Sequence, residues 1–171
     1  MPFQLEDLRS AASGFRKYAT DELTESRARE RHLRTVFLCH SHKDEEYVRG
    51  FITRIRDNGW TVYVDWLDST MPEKPNRETA DRLQARIRRM DYFVYLATPN
   101  SSSSRWCPWE IGYADGVKKR EQIMIVTTTD YSGHLYGAEY LELYRQIDIA
   151  SSGNVAVFDP NSAQGTRLSS L

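Results

Sequence analysis

The sequence predicts an α/β domain: a five-stranded parallel sheet with helices on both faces, preceded by a helical extension. Three observations lead there. Short runs of β-branched and aromatic residues (TVFLC, WTVYVDW, DYFVYLAT, QIMIVTTT and NVAVFD) recur along the chain, at a length suited to strands buried on both faces. Amphipathic stretches separate them, and strands alternating with helices form a parallel sheet covered on both sides. The 171 residues are enough for one such domain with its own core and no disulfide or structural metal.

Each element has a local cause. Leu5, Leu8, Ala12, Phe15 and Ala19 recur at helical spacing, which predicts a first amphipathic helix. Asp21 is placed to cap a second, running to about His32, whose sequence ELTESRARERHLR is polar almost all round and suits solvent or a partner surface. The first strand is expected over 35–39. The polar turn HSHKDEE follows, with Asp44 placed to cap a helix through Tyr47, Val48, Phe51, Ile52 and Ile55, and Asn58-Gly59 to end it.

The second strand is expected over 61–65, and the two-proline stretch DSTMPEKPN after it reads as a long loop. ETADRLQARIRRM forms the next helix, with Ala80, Leu83 and Ile87 on one side, and the third strand covers 92–97. The Ser-rich segment PNSSSSRWC reads as a loop or hinge before a helix opened by Pro108, in which Gly112 and Gly116 would permit close packing on the sheet. The fourth strand covers 122–128. AEYLELYRQI reads as a short helix and 154–158 as the fifth strand. The boundaries are thus 1–33 for the helical extension, 34–158 for the α/β domain and 159–171 for a flexible C-terminal tail. The alternation suggests the flavodoxin-like winding, with the second and third strands flanking the first.

Composition narrows the function. With 23 basic and 24 acidic side chains, a generally basic nucleic-acid binder is disfavoured. The longest apolar run, YFVYLA, is too short to span a bilayer, and the acidic N-terminus lacks the apolar core of a secretory signal. Cys39 and Cys107 form no C-x-x-C pair, which fits reduced thiols in a cytoplasm and suggests no zinc site. No G-x-G-x-x-G, P-loop or G-x-S-x-G occurs, so dinucleotide-binding, NTPase and hydrolase-elbow signatures are all missing. His40 and His42 could ligate a metal from one face, but carboxylate partners are weak, and a solvated strand-end pair is the alternative. In doubly wound sheets ligands sit beyond the carboxyl ends of the strands. That rule nominates the loops at 40–44, 65–77 and 98–110.

Three segments then carry a resemblance. TVFLCHSHKDEEYV resembles the opening strand and turn of a TIR (Toll/interleukin-1 receptor) domain. WTVYVDW with its proline-containing sequel resembles the second strand and BB loop. ETADRLQARIRRMDYFVYLATPNSSSSRWCPWEIGYADG resembles the following helix, strand and catalytic segment, with the S-x-W-C-x-x-E pattern of Ser104, Trp106, Cys107 and Glu110 its most specific part. The N-terminal extension and EYLELY are similar to bacterial stand-alone TIR proteins of anti-phage systems such as Thoeris. The resemblance covers about 34–150.

It implies an enzyme, an NAD nucleosidase or ADP-ribosyl cyclase. Such an enzyme consumes NAD as substrate, needs no cofactor or metal, and breaks the nicotinamide–ribose bond to give nicotinamide and ADP-ribose or a cyclic or conjugated derivative. It also implies oligomerisation through TIR–TIR contacts and a separate effector that reads the product. A non-catalytic interaction module and a TIR-like virulence factor are the alternatives. By this resemblance Glu110 is catalytic, and Cys39, His40, Ser41, His42, Asp65, Trp66, Ser104 and Trp106 bind substrate.

One carboxylate suffices chemically. Nicotinamide leaves as a neutral molecule, so no acid is required, and the developing oxocarbenium ion needs a negative charge and a held ribose. Glu110 near a helix N-terminus is expected to stay ionised near neutral pH through the positive helix end; the same placement also suits an ordinary first-turn glutamate.

Overall fold

The structure, a computed structural model, describes residues 1–15, 33–56, 58–68, 76–137 and 139–171. Its strands are β1 (Phe3–Gln4), β2 (Arg34–Cys39), β3 (Trp60–Tyr63), β4 (Tyr92–Leu96), β5 (Ile123–Val126), β6 (Thr128–Thr129), β7 (Leu135–Tyr136), β8 (Arg145–Ile149), β9 (Val155–Phe158) and β10 (Gly165–Arg167). The helices are α1 (Leu5–Ala11), α2 (Glu45–Arg56), α3 (Arg77–Arg89), α4 (Pro99–Ser102) and α5 (Cys107–Val117). Among the described residues no helix is long and apolar enough to cross a membrane.

The main sheet runs β10-β9-β8-β5-β4-β2-β3. Strands β3, β2, β4, β5 and β8 are mutually parallel, and β2 lies between β3 and β4. This is the doubly wound order expected, with one strand reassigned. The fifth parallel strand is Arg145–Ile149, which begins at the end of the stretch read as helical, where a single 3-10 turn over Glu139–Leu143 takes the helix's place. Residues 155–158 pair antiparallel to it. RQIDI has only Ile147 fully buried, so its sequence carries little strand signal, and its neighbours on both sides decide its conformation.

The chain end is also not the mobile tail expected. Gly165–Arg167 pairs antiparallel with β9, and Leu168 is fully buried. The Trp60 indole N–H donates to the Leu168 carbonyl at 3.1 Å, and the Arg34 guanidinium to that of Leu171 at 2.8 Å. The apolar Leu168 and these two donors hold a segment whose composition alone suggests mobility.

At the N-terminus, Phe3 and Gln4 form a strand rather than the start of a helix, pairing parallel with β6 in a small second sheet. The helix that follows has seven residues, and the second helix expected from Asp21 to His32 lies outside the described residues. Phe3 and Leu8 join the core. A Cβ at Gly50 of α2 would lie 1.8 Å from the Leu8 carbonyl oxygen, so glycine is what lets α1 seat on α2. Gly112 and Gly116 instead face open space and serve no close packing.

Alternation along the strands divides the core into two layers. Val36, Leu38, Val94 and Val126 face α1 and α2; Phe37, Cys39, Phe93 and Tyr95 face α3 and α5. The Phe37 ring stacks against Tyr63 and Phe93, at 5.6 Å in each case. This second layer is the floor on which the start of α5 rests.

Candidate active site

The carboxyl ends of β2, β3 and β4 bring three short segments together. Asp44, expected to cap α2, is fully buried and serves another purpose. It accepts hydrogen bonds from the Thr98 hydroxyl and, at 2.6 Å, from the Asn100 amide, tying the turn after β2 to the segment after β4. Thr98 and Ser101 form a reciprocal capping box around Pro99–Ser102, so this part of the expected hinge is a pinned helical turn. The Thr-Pro-Asn-Ser spacing was the available signal. Ser104 accepts from the backbone N–H groups of Trp106 and Cys107 at 3.2 and 3.3 Å and so anchors the start of α5. Trp106 is half-buried, edge-on to Trp109 at 5.4 Å.

Glu110 is 5% exposed. Helix α5 begins at Cys107 rather than Pro108, and the Glu110 N–H is already bonded to the Trp106 carbonyl at 2.8 Å. Glu110 thus sits at the end of the first turn, past most of the free N–H groups that would favour its charge. Burial pushes its pKa up to about 8, Cys107 and Asp65 add to the shift, and a hydrogen bond with the Cys39 thiol together with His42 only partly opposes it. The expectation of an ionised Glu110 near neutral pH is therefore corrected: desolvation outweighs the helix end. Among the described residues no cation pairs with this carboxyl.

Cys39 lies beneath, 1% exposed, its thiol donating to the Cys107 carbonyl at 3.8 Å. Burial holds its pKa well above the ordinary thiol range, which favours an inert thiol. Cys107 is also free and buried.

Asp65 follows β3. Its carboxylate accepts from the Trp66 N–H at 2.8 Å and from His42 Nε2 at 2.9 Å. Burial works to raise the Asp65 pKa, but the His42 hydrogen bond, both imidazoles and the Trp66 N–H hold it below the ordinary value. The same hydrogen bond raises the pKa of His42, whose side chain is 70% exposed. His40 is buried: Nδ1–H donates to the Leu38 carbonyl at 2.9 Å, and Nε2 lies 3.6 Å from Asp65. Burial lowers its pKa, with Asp65 and the Leu38 carbonyl opposing. The His40 ring stacks on His42 at 5.8 Å and meets Trp66 edge-on at 6.2 Å. Ser41 is buried and starts the turn 42–44, accepting from the Lys43 N–H.

Of the residues singled out in the sequence, Cys39, His42 and Asp65 thus act on Glu110 by contact or through its electrostatic field, and His40 joins them through Asp65 and His42. Ser104 and Ser41 act through the backbone, and Trp66 and Trp106 border the walls. Most of the 65–77 loop, residues 69–75, lies outside the described residues. Sequence reading gave Asp44 only a capping role and missed Thr98, Asn100 and the buried pair of Asp68 and Arg86 at 3.2 Å. Among the described residues no group of three His, Cys, Asp or Glu side chains gathers to hold a metal ion.

A family model described as a TIR domain matches residues 36–154, well over half of the chain. The chain belongs to the TIR domain family. It is 36% identical over 111 residues to the probable 3' cyclic ADP-D-ribose synthase ThsB' of Bacillus cereus (strain MSX-D12), covering 64% of this chain and 58% of that protein. It is 29% identical over 82 residues to the putative cyclic ADP-D-ribose synthase TIR2 of Cytobacillus dafuensis, covering 46% of this chain and 22% of that protein. The chain spans a little over half the length of the first relative and about a fifth of the second. Within the TIR fold, Glu110 and the His42–Asp65 pair lie close enough to influence one another's protonation, at the edge where the sheet's strands end.

Proposed function

We propose that this TIR chain is an NAD-consuming enzyme that breaks the nicotinamide–ribose bond and yields nicotinamide with a cyclic ADP-ribose, or with ADP-ribose when water captures the sugar. The observation that carries this reading is the Glu110 carboxyl, buried at the ligand edge of the sheet with no cation beside it among the described residues. A buried carboxyl without an ion-pair partner is costly in its charged form. A substrate that brings a cation, first the nicotinamide ring and then the ribosyl oxocarbenium ion, supplies the missing partner and draws the proton off. The negative charge is then strongest where positive charge develops. The relatives named as cyclic ADP-D-ribose synthases support the choice of NAD and of a cyclised product. We further place the chain in bacterial antiviral defence in the cytoplasm, assembled with its own copies through TIR–TIR contacts, its product read by a separate effector.

Incubation of the purified chain with NAD, with mass analysis of products, tests the reading. Nicotinamide release is expected in the wild type, and a loss of about 10²–10³-fold in a folded Glu110→Gln variant. Undiminished release in the variant removes Glu110 from the mechanism. No release by the wild type, even when concentrated to drive assembly, makes the chain a non-catalytic interaction module.

A further inference from the structure

We propose that His42, oriented by Asp65, is the general base that takes the proton from the hydroxyl capturing the ribosyl cation. The assignment rests on the NAD-cleaving reading above and adds the second half of the reaction, which Glu110 does not supply.

The geometry is that of an oriented imidazole. A carboxylate only accepts hydrogen bonds, so His42 Nε2, at 2.9 Å from Asp65 Oδ2, carries the hydrogen. In the neutral ring this leaves Nδ1 with its lone pair, and among the described residues no hydrogen bond engages it. Asp65 is itself fixed, its other oxygen accepting from the Trp66 N–H at 2.8 Å. The carboxylate therefore selects the tautomer and stabilises the imidazolium once it forms, the arrangement that makes a histidine an effective base. His42 is 70% exposed and Asp65 16%, so the ring can meet a bound substrate. Glu110 and His42 each act on the other's protonation, so the two side chains lie near one another.

Other assignments fit less well. His40 Nε2 is buried without a hydrogen-bond partner, beneath His42 and out of reach of a hydroxyl. A phosphate anchor at His42 would have to compete with Asp65, an anion already bonded to the same ring. The turn therefore suits proton transfer better than anion binding.

The step balances. The C–N bond to nicotinamide breaks and its electron pair goes to the ring nitrogen, releasing neutral nicotinamide. An oxygen lone pair of a ribose hydroxyl on the same molecule, or of water, forms the new C–O bond. The hydroxyl proton moves to His42 Nδ1 and leaves from the exposed imidazolium to solvent. NAD in its cationic form thus gives nicotinamide, a neutralised sugar and one proton.

The test separates cleavage from capture. Exchange of labelled nicotinamide into NAD reports formation and return of the cation, and cyclic or hydrolysed product reports capture. In His42→Gln, capture is expected to fall about 10²–10⁴-fold while exchange persists or rises, because the cation lives longer. Asp65→Asn should show the same split more weakly. Parallel loss of exchange and product in both variants would make the pair a binding element and overturn the proposal. Unchanged product in His42→Gln would overturn it as well. Glu110→Gln should lose exchange and product together, so its failure to do so counts against the cleavage reading and not against His42. A wild type with neither exchange nor product overturns both.

Discussion

Asp65, in the turn after β3, and Glu110, in the first turn of α5, are both carboxyl groups shielded from solvent at one sheet edge, yet they hold protons very differently. Asp65 lies at 2.8–2.9 Å from two donors and is held below its ordinary pKa. Glu110 has a weakly donating thiol for a neighbour and is pushed up to about 8. Burial alone would raise both. What separates them is the supply of partners, and in the proposed reaction the separation divides the labour: one carboxylate more readily ionised and orienting a histidine, the other held back until a cation arrives.

The largest consequence is in the pH profile. If Glu110 must lose its proton for the free enzyme to take up NAD productively, kcat/KM rises with pH until the carboxyl is ionised near pH 8. Below that point each unit of acidity removes about tenfold, so about a hundredfold loss is expected at pH 6. A kcat/KM profile for nicotinamide release from pH 5.5 to 9 checks this. A profile flat down to pH 5 would mean that Glu110 is as readily ionised as Asp65, and the contrast between them would collapse.

Stability gives the next effect, with its sign fixed by linkage. A carboxyl whose folded pKa is raised from 4.5 to about 8 binds its proton more tightly folded than unfolded. It therefore withdraws stability as pH climbs from 4.5 to 8 and nothing more above that. Glu110→Gln has a similar shape and no charge to desolvate. The variant should be more stable than the wild type at pH 8, by on the order of 4 kcal/mol, with the gap closing toward pH 4.5. Urea unfolding across this range measures it. A variant less stable than the wild type at pH 8 would reveal an unsuspected favourable partner for the charge. Gained stability with lost turnover would mark Glu110 as a position where function costs stability.

How much of this the sequence foretold follows the physics of each element. β2, β4 and β5 were legible because TVFLC, YFVYL and IMIV are continuous apolar runs buried on both faces. β8 was not, because RQIDI is polar and is a strand only through its neighbours. Leu168 is one leucine in a polar tail, and nothing local announces that Trp60 and Arg34 hold it. The site divides in the same way. Glu110, His42 and Asp65 stood out through the resemblance to TIR domains, in loops that the strand-end rule also nominates. The raised pKa of Glu110 did not, because it depends on the depth at which α5 begins and on which groups surround the carboxyl, and neither follows from spacing. The Asp44–Thr98 link joins residues 54 positions apart and was equally hidden.

The smallest effect completes the comparison from the Asp65 side. Its lowered pKa means that the folded state favours the carboxylate, so Asp65 contributes stability above its ordinary value of 3.8 and loses that contribution as pH falls below it. His42 has the opposite sign. Its raised pKa contributes stability at low pH and loses it as pH rises beyond 6.5 through the elevated folded value. Both charges coexist between these limits, and there the pair is strongest. Because His42 is 70% exposed, solvent screens much of the attraction, and Asp65→Asn should cost only about 0.5–1 kcal/mol in that window. The deficit should shrink on the acid side, where the wild-type carboxylate is protonated, and partly on the alkaline side, where a neutral hydrogen bond remains. Urea unfolding at pH 3, 5.5 and 8.5 would distinguish this peaked loss from the stepwise gain of Glu110→Gln. Two substitutions that each replace a shielded carboxyl by its amide would then shift stability in opposite directions with different pH shapes, an outcome that burial alone cannot produce. If both variants instead gained stability together toward high pH, Asp65 would be as poorly partnered as Glu110, and His42 would lose the group that orients it.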